Sequence, residues 1–540
     1  MTNGGDALVQ ALTSLGVEVA FGLPGVHNLA AWKSFARSDI RLVGVRHEQT
    51  AGYAADGYAR ATGRLGVAVT TTGPGAANVV TAVGEAWASH SPVLVIATDI
   101  PTTLRRDGVY RGVLHETDDQ AGFFRPVTKA QVLVTSAETV YDDVLRAGLL
   151  AMQHPRRPVY LEIPTDLLRA EVSPRIPVPD QVTFTVKSSK SPALSLPFSL
   201  LEAARPLIWA GGGATASEAG PQVAQLARAL GAPVLTSYGG RGLIPVDHPC
   251  HVSLPPHTPD AGALWDAADL VLVLGSDLDF MNTQGFRQPR PAVLHVIDLA
   301  QPVNCEPDMW WQSDIAAAVG RTLDTVRQIQ PNDREPWWKT QTTHEDGWSH
   351  LAGMFADEVR FLTAFESGLP NDVVVVADMC IPGYWYGGFG HVRQPRGLAY
   401  PVGWGTLGFG FPASLGTALS GRPTVALVGD GGFLFACGDL ATAAQEQLPV
   451  TVVLVDDGGY GMLAYDFTKD GEKPLGCDLE PPDFVALARA FRVEAREVTV
   501  DELGSAVAAG IASRRPNLLV LKAQLTPPPN SSPNWYRALS

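Results

Sequence analysis

At 540 residues the chain is too long for one hydrophobic core, and at roughly 100 to 200 residues per domain it implies about three. A formal charge of −15 at pH 7 argues against a nucleic-acid backbone or an anionic membrane surface as the main partner, because both reward clustered Lys and Arg. The five cysteines, Cys250, Cys305, Cys380, Cys437 and Cys477, are odd in number and form no C-x-x-C pair, so the composition suggests neither a disulfide framework nor a zinc site.

The first residues, "MTNGGDALVQALTSLGVEVAFG", lack a basic segment followed by an apolar core, and no window approaches about 18 uninterrupted apolar residues, so a cytoplasmic protein is expected. From residue 6, "DALVQALTSLG" has helical spacing, "VEVAFG" is a short strand, and "LPG" breaks it. Strand, glycine-rich turn, helix and strand follow in "LGVAVTTTGPGAANVVTAVGEAWASHSPVLVIATDIP", and "PVYLEIPTD" at 158–166 adds a further strand. Residues 168–198 lose this periodicity and gain Pro, Ser and Lys, which predicts a linker. A second unit runs from "ARPLIWAGGGA" through "ADLVLVLGSDLD" and "AVLHVIDLA" to residue 330, and a second linker is expected at 331–354. The third unit, 355–540, opens with "DVVVVADM" and ends in a loop-like tail, "LTPPPNSSPNWYRALS". The expectation is an α/β chain of three doubly wound parallel-sheet domains, 1–167, 199–330 and 355–540.

Within the third unit, "VALVGDGGFLF" runs an apolar strand into Gly429-Asp430-Gly431-Gly432. The helix "FLFACGDLATAAQEQ" and the strand "PVTVVLV" come next, and that strand ends in Asp456-Asp457-Gly458-Gly459-Tyr460. Two strand ends thus present acids toward one crevice, where ligands of open parallel sheets sit. Two carboxylates beside phosphate oxygens are a usual arrangement for magnesium. Either acid alone reads more readily as a polar turn residue.

The spacing of G-D-G and the second acid resembles the diphosphate-binding motif of thiamine diphosphate (thiamine pyrophosphate) enzymes, with Asp456-Asp457 where that family normally has Asn-Asn. "VRHEQTAGYAADGYAR" at 45–60 resembles the segment in which the family keeps its cofactor-activating glutamate, here Glu48. "FGLPGVHN" and "TTTGPGAAN" resemble the two loops on the pyrimidine side, and "GWGTLGFGFPASLG" the segment whose bulky residue, here Leu407, wedges the cofactor into a bent shape. By this resemblance the domains are pyrimidine-binding, middle and diphosphate-binding in order, in the family of 2-oxo acid decarboxylases and carboligases, on its acetolactate synthase-like branch. It implies that Asp430, Asp457 and the carbonyl of Gly459 hold Mg2+, and that Gly25, Thr72, Gly73, Asn78, Leu407, Gly429, Gly431, Gly432 and Tyr460 border the cofactor. It further implies that Glu48 of one chain serves the diphosphate domain of another, in a homodimer or dimer of dimers.

Departures from the pattern bear on the reaction. His115 stands where acetolactate synthases have a Gln, and Asp466 where they have a Trp that selects the second oxo acid. The middle domain lacks the G-M-H-G pattern and Arg of flavin-binding members, so no bound FAD is expected. "PGVHN" and "LHE" followed by Asp119-Gln120 resemble guanidino-oxopentanoate decarboxylase-like and cyclohexanedione hydrolase-like members, with His27 and His115 as catalytic imidazoles. The resemblance implies a lyase or transferase that attacks a 2-oxo acid through the cofactor ylid, with decarboxylation and optional ligation to an acceptor carbonyl. Hydrolysis of a diketone by the same ylid and a non-catalytic cofactor-binding homologue stay open as alternatives.

Overall fold

The apolar runs fold as three parallel sheets whose central strands are buried along almost their whole length, as sheets covered by helices on both faces require. The structure, a computed structural model, describes residues 2–106, 108–173, 195–340, 344–529 and 535–537. The first sheet comprises β1 (Val19–Gly22), β2 (Arg41–Gly44), β3 (Gly66–Thr70), β4 (Val93–Asp99), β5 (Ala130–Leu133) and β6 (Val159–Pro164), in the order β2-β1-β3-β4-β6-β5. The second comprises β7 (Pro206–Ala210), β8 (Val234–Thr236), β9 (Leu270–Leu274), β10 (Val293–Ile297) and β11 (Met309–Trp311), in the order β8-β7-β9-β10-β11. The third holds β12 (Val374–Ala377), β13 (Leu398–Ala399), β14 (Thr424–Gly429), β15 (Val450–Asp456), β16 (Glu494–Glu497) and β17 (Asn517–Lys522), in the order β13-β12-β14-β15-β17-β16. The switch point between β12 and β14 and the neighbouring end of β15 place the loops after these strands at one edge.

Local structure departs from the sequence reading in three places. The continuous helix expected after Asp430 is broken into Asp430–Phe433, a 3-10 turn Cys437–Asp439 and a helix Leu440–Glu446, because Ala436 at ψ 13° and Gly438 interrupt it. Residues 331–354 carry a 3-10 turn Trp337–Thr340 and a helix His344–Met354. Their tryptophans pack inward: Trp337 donates to the Pro206 carbonyl at 2.8 Å, and Trp348 stacks on His391 at 5.8 Å. Of the expected first linker, residues 174–194 lie outside the described residues. In the tail, Trp535 contacts His257 and Phe280, while Arg537 pairs with Asp266 at 2.8 Å, so these residues lie on the middle domain. No described helix is long and apolar enough to cross a membrane.

The first and third domains meet along the helices Glu48–Thr62 and Gly410–Thr417. Small residues make this possible. A Cβ on Gly57 would collide with the Ala413 carbonyl, and one on Gly416 with the Ala54 carbonyl, so the two backbones touch directly. Beside them the buried Arg60 guanidinium pairs with Asp56 at 2.6 Å and Glu85 at 3.1 Å, and donates to the Tyr400 carbonyl at 3.0 Å. The two ion pairs lie within the first domain, and the bond to Tyr400 carries the held guanidinium across the seam.

Candidate active site

The register of the third sheet builds the acidic crevice. Gly429 at the end of β14 lies opposite Val455 of β15, so Asp430 and the Asp456-Asp457 pair leave the sheet side by side. Asp430 is wholly buried; its Oδ1 accepts from the Gly431 amide at 2.8 Å, and its Oδ2 has no partner within the protein. Burial, and then repulsion from Asp457, push Asp430 up to about 7; burial also raises Asp457. A buried carboxylate oxygen without a partner is costly, and a hard cation between the two acids would relieve both the burial and the repulsion. The donor set therefore fits magnesium bound to a diphosphate. Among the described residues no cluster of three or more His, Cys, Asp or Glu is placed to hold a metal, so any cation here needs further oxygens from its ligand or from water.

The backbone around this pair is kept open. A Cβ on Gly431 would lie 2.7 Å from the Tyr460 ring, and Tyr460 is itself fixed by its amide, which donates to the Cys477 carbonyl at 2.9 Å. Gly459 forms a bridge with Asp478 that leaves no room for a side chain. Leu407 precedes Gly408, whose φ of +77° turns the chain and whose amide donates to both Asp378 oxygens, at 3.1 and 3.2 Å. Asp378 is buried and pushed up to about 6 by that burial, which backbone N–H groups from Met379, Gly408, Phe409 and Gly410 partly offset. This carboxyl holds the Leu407 loop, and the sequence alone gave no sign of it because its partners are backbone amides.

A second cluster forms in the first domain. Glu48 opens its helix with 5 % of its surface exposed, and its Oε2 accepts from Asn78 Nδ2 at 3.0 Å. A Cβ on Gly75 would lie 3.1 Å from Glu48 Oε1, so the glycine makes room for the carboxylate. Gly25 packs on Thr71 and its amide donates to Asn28 Oδ1 at 2.8 Å, which shapes the loop before His27. Thr72 donates to Thr98 at 3.1 Å, and Gly73, at φ +64°, donates its amide to Gln120 Oε1.

His27 and His115 lie together, with ring centroids 5.3 Å apart in an edge-to-face arrangement. Each keeps a buried Nδ1 without a partner, and burial followed by the neighbouring His115 lowers the pKa of His27. His115 adopts a left-handed backbone at φ +66°, an uncommon conformation for a non-glycine residue. Asp466 is half-buried in the helix Gly461–Lys469, and its charge adds in small part to the raised pKa of Tyr384, which burial chiefly causes.

Among the described residues, no hydrogen bond or ion pair joins Glu48, His27 or His115 to the loops carrying Leu407, Asp430, Asp457 or Asp466. Glu48, His27 and His115 lie on the first domain, and those loops on the third domain. Between the domains lies a cavity of about 720 Å³, reached by Gly213, Asp298, Met379, Tyr384, Gly405 and Trp535. It touches neither Glu48 nor Asp430. The sequence reading passed over it, although Gly211–Gly213 after β7 and Asp298 after β10 are strand-end signals of the kind noted in the third domain.

Comparison with known proteins assigns all three domains to one family. Residues 2–123 match the thiamine pyrophosphate enzyme N-terminal TPP binding domain, 199–334 its central domain and 381–521 its C-terminal TPP binding domain. The chain belongs to the thiamine pyrophosphate enzyme family. A probable 2-ketoarginine decarboxylase of Pseudomonas aeruginosa is 33% identical over 96% of this chain and 93% of that protein. A probable acetolactate synthase large subunit of Methanocaldococcus jannaschii is 29% identical over 96% and 91%, and an acetolactate synthase of Mycobacterium avium is 32% identical over 93% and 85%. The thiamine diphosphate-dependent 4-hydroxybenzoylformate decarboxylase of Rhodococcus jostii RHA1 shares the fold, with a TM-score of 0.81 over 97% of this chain and 100% of that chain at 23% identity. This thiamine pyrophosphate enzyme is accordingly of the decarboxylase and acetolactate synthase type.

Proposed function

We propose that this thiamine pyrophosphate enzyme is a magnesium-dependent decarboxylase of a 2-oxo acid whose side chain carries a cationic or hydroxyl-rich group. The observation that carries the reading is the unpartnered, buried Asp430 Oδ2 beside Asp457 at two adjacent strand ends. Bound thiamine diphosphate supplies a carbanion nucleophile and an electron sink. Asp430, Asp457 and the Gly459 carbonyl would hold the metal, and Gly429, Gly431, Gly432 and Tyr460 would border the diphosphate. Leu407 would support the cofactor, and Gly25, Thr72, Gly73 and Asn78 would border its pyrimidine ring.

Glu48 exchanges a proton with the ring nitrogen. Its burial and the Asn78 hydrogen bond give it a fixed orientation suited to that exchange. His27 and His115 would move a proton at the reacting carbon; two adjoining imidazoles, one held toward its neutral form, can relay it. Asp466 recognises the far end of the substrate. The placement of Glu48 and Asp430 on different domains supports a second copy of the chain that brings Glu48 to Asp430. So do the exposed Leu463 and Phe467, one turn apart on the helix after Tyr460, a face that a second copy would cover.

The acetolactate synthase relatives support ligation to an acceptor carbonyl as a second outcome of the same chemistry. The test is a panel of 2-oxo acids with cationic, hydroxylated and apolar side chains, with and without aldehyde acceptors, read by CO2 release and product mass. CO2 with an aldehyde product is the expected result. Cleavage of a diketone without CO2 would replace this reading by hydrolysis, and absence of cofactor binding in the presence of magnesium would refute it.

A further inference from the structure

The helix that carries Glu48 begins with an ordinary cap: the His47 ring nitrogen accepts from the Gln49 amide at 3.2 Å. A second acceptor reaches the same turn from another domain. Asp439, 2 % exposed, ends the 3-10 turn that follows the Asp430 segment of the third domain. Its Oδ1 accepts from the Arg46 amide at 2.8 Å and from the Thr442 hydroxyl at 2.7 Å, and its Oδ2 accepts from the Thr50 hydroxyl at 2.6 Å. These anchors flank Glu48, two residues before it and two after. The Arg46 guanidinium adds a bond to Gln445 at 2.8 Å, and Arg41 pairs with Glu446 at 3.1 Å along the same edge.

We infer that Asp439 is a positioning residue for Glu48, fixing the first turn of its helix so that the carboxylate keeps one orientation toward the cofactor ring. This rests on the role proposed for Glu48. The helix dipole alone would favour any acid near this end, but it carries no direction, whereas three hydrogen bonds to one buried carboxylate do. Removing that carboxylate strands the Arg46 amide and the Thr50 hydroxyl, and the turn gains freedom. A misplacement of about 1 Å at a catalytic group lowers rate by about a hundred-fold.

The experiment uses the full chain with magnesium and thiamine diphosphate and no substrate, measuring hydrogen exchange at the cofactor C2 by NMR. Asp439→Ala is expected to slow exchange by about ten-fold or more while cofactor affinity stays within about three-fold. Asp439→Asn keeps an oxygen for Arg46 and Thr442 and can donate to Thr50, so it should exchange at the wild-type rate. In cofactor-free protein, backbone amide exchange of a peptide covering residues 44–52 should speed up by about ten-fold in Asp439→Ala and be unchanged in Asp439→Asn. Should Asp439→Ala fail to fold, the near-isosteric Thr50→Val carries the test, with a loss of a few-fold expected.

Wild-type rates in both Asp439→Ala and Thr50→Val would overturn the inference, as would an Asp439→Asn protein as slow as Asp439→Ala. Glu48→Gln separates the two levels: if it retains C2 exchange, the role of Glu48 falls and this inference falls with it. If it abolishes exchange while Asp439→Ala does not, only the role of Asp439 falls.

Discussion

Replacing Asp457 by Asn probes the electrostatics of the two strand ends. Asp430 is pushed up to about 7 by burial and by Asp457, so in the metal-free protein a proton and the metal compete for one carboxylate. The sign follows from the direction of the shift. The raised pKa means that the metal-free fold retains the proton, binding releases it, and affinity for magnesium and the diphosphate rises as pH climbs through about 7. At pH 6 about one site in ten is ionised, which weakens binding by about 1.4 kcal/mol, or about ten-fold in Kd, compared with pH 8. An amide at 457 removes the like charge. If the pKa of Asp430 falls by about one unit, about half of the sites are ionised at pH 6, a gain of about five-fold.

At pH 8 Asp430 is ionised in both proteins, so that gain disappears and only the loss of a charged ligand remains. The assay is a titration with thiamine diphosphate at fixed magnesium, followed by tryptophan fluorescence, in steps from pH 6 to pH 8. The ratio of wild-type to Asp457→Asn Kd should be about five-fold larger at the acidic end. Superimposable pH dependences would refute the coupling between the two acids.

Glu48→Gln should lower kcat by about a hundred-fold or more with cofactor affinity nearly unchanged, since the amide keeps a hydrogen bond but cannot exchange a proton; steady-state rates alongside cofactor titration check this. Asp466→Ala should shift kcat/KM by about ten-fold toward 2-oxo acids with apolar side chains, because a desolvated carboxylate facing an apolar group stays unpaired; the substrate panel reads it directly. His27→Ala and His115→Ala should each slow turnover, and the double variant should be little worse than the slower single one, as expected for a pair acting as a unit. Ending the chain before Trp535 removes one wall of the 720 Å³ cavity, so solvent protection of Phe280 and His257 should fall in covalent-labelling experiments while the melting temperature changes little.

The strands were legible because each sheet is covered on both faces, so its strands read as apolar runs such as "VLVIATD" and "VVVVAD". The convergence of Asp430 and Asp457 was legible for a related reason: parallel neighbours joined by a crossover end at the same edge. His27 and His115 could be picked as single residues, but their contact depends on a left-handed backbone at His115 that no residue type there announces. Asp378 and Asp439 escaped notice because a carboxylate that accepts from backbone amides or from another domain leaves no local pattern. The cavity escaped for the same reason, since three domains contribute to its wall.

The glycine seam between the Glu48–Thr62 and Gly410–Thr417 helices bears on how this protein can adapt. Where backbone meets backbone, there is no rotamer to change and no side chain to trim. A new substituent at Gly57 or Gly416 can only force the helices apart, so sequence drift at the seam is blocked and the first and third domains of one chain should move as a single body. Changes of substrate range therefore have to arise at the rims, in the loops bearing His27, His115 and Asp466, where side chains can be exchanged without disturbing the distance between domains.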